Sequence, residues 1–149
     1  MKKTVTRIVM LMLCLGMLMS SAIAAGSDET VTRIDYEDGS YMTITTTTYA
    51  SVSRASTRYA EKKYTYTDNQ GDKVYTYLLK GWFTYDNVTS EATDVNASAV
   101  IHKSGWDVSS HSEYCSGNTA YGNVTFKGPL FVTRSINATL TCDRYGNID

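Results

Sequence analysis

The sequence holds one proline in 149 residues, three cysteines, two histidines and almost no excess of either charge, with 14 Lys and Arg against 15 Asp and Glu. Each shortage excludes something. A single proline excludes proline-rich linkers and collagen-like repeats. Balanced charge argues against nucleic acid as a partner, because phosphates demand a basic footprint. At 19% charged and 42% hydrophobic, the chain is too apolar to remain disordered. Its length suits one ordinary domain.

Long apolar runs are equally scarce. One exists, at residues 8–19 (IVMLMLCLGMLM). Lys2, Lys3 and Arg7 precede it, and Ala22-Ile23-Ala24-Ala25 follows it. That is the three-part pattern of a secretory signal peptide cut after Ala24 or Ala25. As a helix, twelve residues cover roughly 18 Å, short of the ~30 Å hydrocarbon core, so no transmembrane anchor is expected. The expected product is secreted and extracellular, with residues 1–24 as signal peptide and 25–149 as the domain. Without the leader, eleven basic groups face fifteen acidic ones, a net charge of −4.

Cleavage removes Cys14 and leaves Cys115 and Cys142. Two cysteines in a secreted chain can pair in one way only, so a structural disulfide is expected, the alternative being two free thiols. Such a bridge would close a loop of about 27 residues and stabilise by ~3.5 kcal/mol in the chain-entropy model.

What the remaining chain has is β-branched and aromatic residues. After Ala24 come nine Val and five Ile against four Leu, with nineteen Thr and all twelve Tyr. Such side chains suit a pleated, half-buried surface, and no long helical periodicity appears. Residues 40–50 alternate, placing Tyr41, Thr43, Thr45, Thr47 and Tyr49 on one face and Met42, Ile44, Thr46, Thr48 and Ala50 on the other. With residues 30–36 and the Glu37-Asp38-Gly39 turn, this predicts a hairpin. Residues 51–60 are undecided between a short helix and an edge strand. Residues 62–67 and 73–79 bracket Asp68-Asn69-Gln70-Gly71-Asp72 as the clearest hairpin, with Tyr64 and Tyr66 facing Tyr75 and Tyr77. Further strands are expected at 93–102, 106–114, 118–126, 130–136 and 137–142. Eight or nine short strands predict an all-β fold, a single antiparallel sandwich or barrel-like domain, with 25–60 as an N-terminal hairpin packed onto it.

Chemistry is thin. His102 with Ser104 and Asp107, or His111 with Ser110, would give a hydrolase on paper, but no Gly-x-Ser-x-Gly elbow is present. The acids sit in turns, where Asp and Asn serve their own hydrogen bonds. Asp68, Asn69 and Asp72, or Asp143 and Asn147, lack EF-hand spacing for calcium. No catalytic residue, metal set or cofactor motif is expected. The aromatic surplus carries more. Tyr64, Tyr66, Tyr75, Tyr77 and Tyr85 are candidates for a ligand face, against the alternative of cross-strand pairs and core; Trp82 and Trp106 are expected to anchor the core.

The stretches Gly81-Trp82-Phe83-Thr84-Tyr85, Ser116-Gly117-Asn118-Thr119-Ala120 and Leu140-Thr141-Cys142-Asp143-Arg144-Tyr145-Gly146-Asn147 carry a resemblance. Residues 74–149 are similar to small, uncharacterised secreted β-proteins of Gram-positive, Clostridia-like bacteria that end in LTC-D-x-x-G-N. The resemblance implies a secreted bacterial β-protein and no activity. The functional expectation is a non-enzymatic extracellular binding domain whose partner is a cell-surface glycan or protein. A carbohydrate-binding module and a small bacteriocin-like antagonist are the alternatives.

Overall fold

The computed structural model describes residues 26–50 and 56–149. The expected signal peptide and residues 51–55 lie outside the described residues. The chain runs through eight strands: β1 (Ser27–Asp35), β2 (Tyr41–Tyr49), β3 (Thr57–Thr67), β4 (Lys73–Tyr85), β5 (Ser90–Ile101), β6 (Asp107–Ser116), β7 (Thr119–Lys127) and β8 (Thr133–Thr141). They form two antiparallel sheets, β1-β2-β3-β4-β5 and β6-β7-β8, packed as an open sandwich. No helix among the described residues is long and apolar enough to cross a membrane.

Every strand pairs with its sequence neighbour within its sheet, so turns decide the topology. Four of the turns are built by an aspartate. The Asp38 carboxylate accepts the Ser40 N–H, and Asp68 accepts those of Gln70 and Asp72. Asp86 accepts the N–H groups of Val88 and Thr89, and Asp143 those of Tyr145 and Asn147. All four carboxyls lie below the ordinary aspartate range, through side-chain bonds first from Ser40 to Asp38, Lys103 to Asp68 and Asn147 to Asp143, and through the Thr89 backbone N–H to Asp86, with the other turn N–H groups adding to them, because such bonds favour the charged form. The clustering of acids in turns thus has the local cause expected of it.

Tyr64 and Tyr66 do face Tyr75 and Tyr77, in the register Tyr64 opposite Tyr77 and Tyr66 opposite Tyr75. Of the undecided stretch, residues 57–60 belong to β3, the middle strand of the larger sheet, and so lie in neither a helix nor an edge strand. The two short strands expected at 130–136 and 137–142 are one strand, β8, preceded by a turn at Pro129–Phe131. Ile136, Ala138 and Leu140 point inward without interruption along it.

Period-two alternation sends one side of each strand into the core. Tyr75, Tyr77, Leu79 and Phe83 of β4 are buried against Ala120, Val124 and Phe126 of β7 and Leu140 of β8. Tyr75 stacks on Phe126 with centroids 3.8 Å apart, and Tyr66 and Trp106 close around it. Gly122 is required here, since a Cβ at that position would overlap the Tyr77 hydroxyl and lie 2.9 Å from Leu79 Cδ1. The smaller sheet covers only part of the larger one. β2 is half-covered and every residue of β1 is exposed.

The C-terminal LTCDRYGN segment has a physical role in this frame. Leu140 and Cys142 are buried, and Asp143 closes a turn on Asn147. Cys142 bridges Ile148, and Arg58 of β3 donates to the Gly146 carbonyl at 2.8 Å. Gly146 has φ +85° and lies against the Tyr85 ring, where a Cβ would come within 2.5 Å of Cζ. The segment thereby ties the last strand of one sheet to the middle strand of the other.

Candidate functional site

The expected disulfide is absent: Cys115 and Cys142 are free thiols. Cys115 sits opposite Ala120 in β7, whose other neighbour is Leu140 of β8, and Cys142 follows two residues later. An entire strand therefore separates them. Two steps of the ~4.8 Å interstrand spacing exceed the ~4.4–6.8 Å Cα separation that a disulfide spans. Burial is the main cause that pushes both thiols up, with Asp94 adding to it at Cys115 and Asp143 at Cys142. Such thiols are poor nucleophiles.

The five tyrosines named from the sequence do not form an exposed face. Tyr66, Tyr75 and Tyr77 are core residues, at 5%, 0% and 0% exposure. Tyr64 and Tyr85 are half-buried and pack against that core. Burial pushes the Tyr77 hydroxyl up to about 12 and raises those of Tyr75 and Tyr64 as well. Trp106 lies against the core as expected, but Trp82 does not.

Trp82 instead ends an aromatic row on the outer face of the five-stranded sheet. Tyr49 of β2 is opposite Tyr59 of β3, and Tyr59 is opposite Trp82 of β4. Ring centroids are 5.1 Å apart for Tyr49–Tyr59 and 4.9 Å for Tyr59–Trp82, with interplanar angles of 28° and 33°. The first pair is stacked and the second tilted, so the middle ring lies in contact with both neighbours. The end rings keep one face each. Among the described residues, Tyr49 has Ser27 of β1 opposite it on its other side and Trp82 has Asp94 of β5, both short. Tyr49 is 37% exposed and Trp82 36%.

Polar groups frame the row. Glu61 accepts from the Tyr59 hydroxyl and, at 3.5 Å, from that of Tyr49. Lys80 Nζ lies 3.7 Å from Glu61. Desolvation, then the Glu61 hydrogen bond and charge, raise the Tyr59 hydroxyl above the ordinary tyrosine range, so it stays a neutral donor. A bulge between Trp82 and Phe83 leaves Thr93 donating to the Trp82 carbonyl, which fixes the strand beneath the indole.

The other sequence candidates fall elsewhere. His102 Nε2 is 3.0 Å from Thr76 Oγ1, and His111 lies 3.6 Å from Glu113. Lys103 is bonded to Asp68 and Asp72, placing an ammonium where calcium was considered. No group of three potential metal ligands occurs among the described residues. A hollow of about 400 Å³ lies where β1 and β2 overhang the smaller sheet, lined by Thr30, Thr32, Ile44, Thr46, Lys62 and Tyr64 with the chain end. Leu130 and Phe131 stand 93% and 99% exposed at the β7–β8 turn.

No family model, curated protein or solved structure matches this chain.

Proposed function

We propose that this chain is a secreted, non-enzymatic binding domain that holds a carbohydrate on its outer aromatic row. The observation that carries the reading is the row itself: Tyr49, Tyr59 and Trp82 stand in register on the outer face of the larger sheet, and the two end residues are exposed. Large apolar rings fixed by their neighbours present a contact surface at little entropic cost, and sugar C–H faces suit such surfaces. Glu61, Lys80, Asp94 and Asn96 lie on the same face of β3, β4 and β5 and supply acceptors and donors for hydroxyl groups. The signal-peptide pattern of residues 1–24 and the resemblance of residues 74–149 to small secreted proteins favour an extracellular setting.

Glycan-array screening of the purified protein tests this, followed by titration of the best ligand. Trp82→Ala is expected to weaken that ligand by about tenfold or more, as loss of an aromatic anchor does. A blank array, or binding indifferent to Trp82→Ala and Tyr49→Ala, would contradict the reading.

A further inference from the structure

Strand β1 is an edge whose protection is limited to the charges of Asp28, Glu29, Arg33 and Asp35. It runs nine residues, Ser27–Asp35, without proline, lysine or bulge, and among the described residues no strand pairs with its outer side. Natural edges are usually blunted by such devices. Val31 and Ile34 on it are 61% and 45% exposed.

The ladder says which backbone groups are unused. Ala50 N–H donates to the Gly26 carbonyl and Tyr36 N–H to that of Ser40, so the even-numbered residues of β1 turn their backbone groups toward β2. Ser27, Glu29, Val31, Arg33 and Asp35 therefore turn theirs outward. Their side chains also share the outer face of the sheet, since β1 pairs in unbroken register.

We propose that β1 pairs antiparallel with β1 of a second copy of this chain, about a two-fold axis at Val31. In that register Val31 meets Val31, Glu29 meets Arg33, and Ser27 meets Asp35. All five outward residues exchange both backbone hydrogen bonds with their opposites. Glu29 and Arg33 form opposite-charge cross-strand pairs on both sides of the axis. Neighbouring registers are worse on the same grounds. Centring on Thr32 sets Glu29 against Asp35, and centring on Thr30 sets Glu29 against Val31 and leaves Asp35 without an opposite in the strand. On the inner face, the Val31 register places Thr30 beside Thr32 of the other copy. Arg33 is already steadied for this role, with its guanidinium 3.7 Å over the Tyr41 ring and bonded to Asp35 at 2.7 Å. Glu29 makes no ion pair among the described residues. The two five-stranded sheets then continue as one, and an isologous contact of this kind closes after two copies.

Sedimentation equilibrium across the micromolar range tests the proposal, on purified protein whose N-terminus has been read by mass spectrometry. The wild type is expected as a dimer. Val31→Pro removes an outward N–H and is tolerated on an edge, so it should give a monomer with unchanged circular dichroism. Arg33→Glu sets like charges opposite each other twice and should weaken association by about tenfold. Adding Glu29→Arg should restore it. Wild-type monomer throughout, a Val31→Pro dimer as tight as wild type, or a double charge swap no better than Arg33→Glu alone would each overturn the proposal. The sugar-binding row lies on β2 to β4, so its variants report separately from these.

Discussion

The larger sheet carries two cross-strand aromatic rows on opposite faces. Tyr66 stacks on Tyr75 in the inner row, with centroids 5.0 Å apart. Tyr49, Tyr59 and Trp82 follow one another at almost the same spacing in the outer one, the first pair stacked and the second tilted. Pair geometry therefore does not distinguish core from surface. The distinction comes from what lies over each face. The inner row is covered by Phe126 and Trp106 of the small sheet's side, and the outer row by nothing among the described residues. One row is matched to the fold's own side chains, and the other retains ring faces that the fold does not use.

Substitutions should split the two rows most widely. Tyr75→Ala empties a fully buried site and is expected to cost about 3–5 kcal/mol, read by denaturant unfolding. Trp82→Ala gives up one exposed aromatic pair and should cost about 1 kcal/mol in the same assay. Equal costs would remove the contrast.

Alkaline titration sharpens it next. Unfolded tyrosines ionise near pH 10. Tyr77, at about 12 in the folded protein, stays neutral well above that, and Tyr75, Tyr64 and Tyr59 shift in the same direction. Their raised folded values stabilise the native state fully below pH 10. That contribution declines as pH rises from 10 through 12, because the unfolded chain releases protons first. Midpoints of thermal unfolding should therefore fall steeply over that window, and Tyr77→Phe should reduce the slope.

A smaller effect concerns the apolar residues that neither row uses. Leu130 and Phe131 have φ of +56° and +62° and almost full exposure. The turn accepts the Val132 N–H on the Pro129 carbonyl, and two left-handed residues in succession favour Asn-Gly there. Replacing the pair by Asn-Gly should stabilise the protein by about 1–2 kcal/mol, since the strain disappears and no buried contact is lost. Smallest of all, a reductant should leave the unfolding midpoint unchanged, because Cys115 and Cys142 are thiols already. A drop on reduction would restore the bridge.

Local pattern made the strands legible. The alternation of residues 40–50 assigns both faces of β2 correctly, and the Asp68–Asp72 turn puts Tyr64 beside Tyr77. Which face is covered was not legible, because the cover comes from Trp106, β7 and β8, all well downstream. That is why Tyr75 and Tyr77 read as candidates for a ligand face. Tyr49 and Tyr59 were missed for a related reason: one ends β2 and the other begins β3 after an unpatterned stretch. The usable signal was the register. Once Tyr66 is paired across from Met42, counting forward along β2 and back along β3 brings Tyr49 opposite Tyr59. Cysteine counting failed because it says nothing of an intervening strand.

The chain's two tryptophans lie one on each side of this contrast. Trp82 ends the outer row and Trp106 packs against the inner one. A two-dimensional amide spectrum of labelled protein, titrated with the sugar found by array, resolves both indole N–H signals. The Trp82 signal is expected to move with ligand concentration while that of Trp106 stays in place. Movement of Trp106 alone, or of neither, would contradict the claim that the outer row is the binding surface.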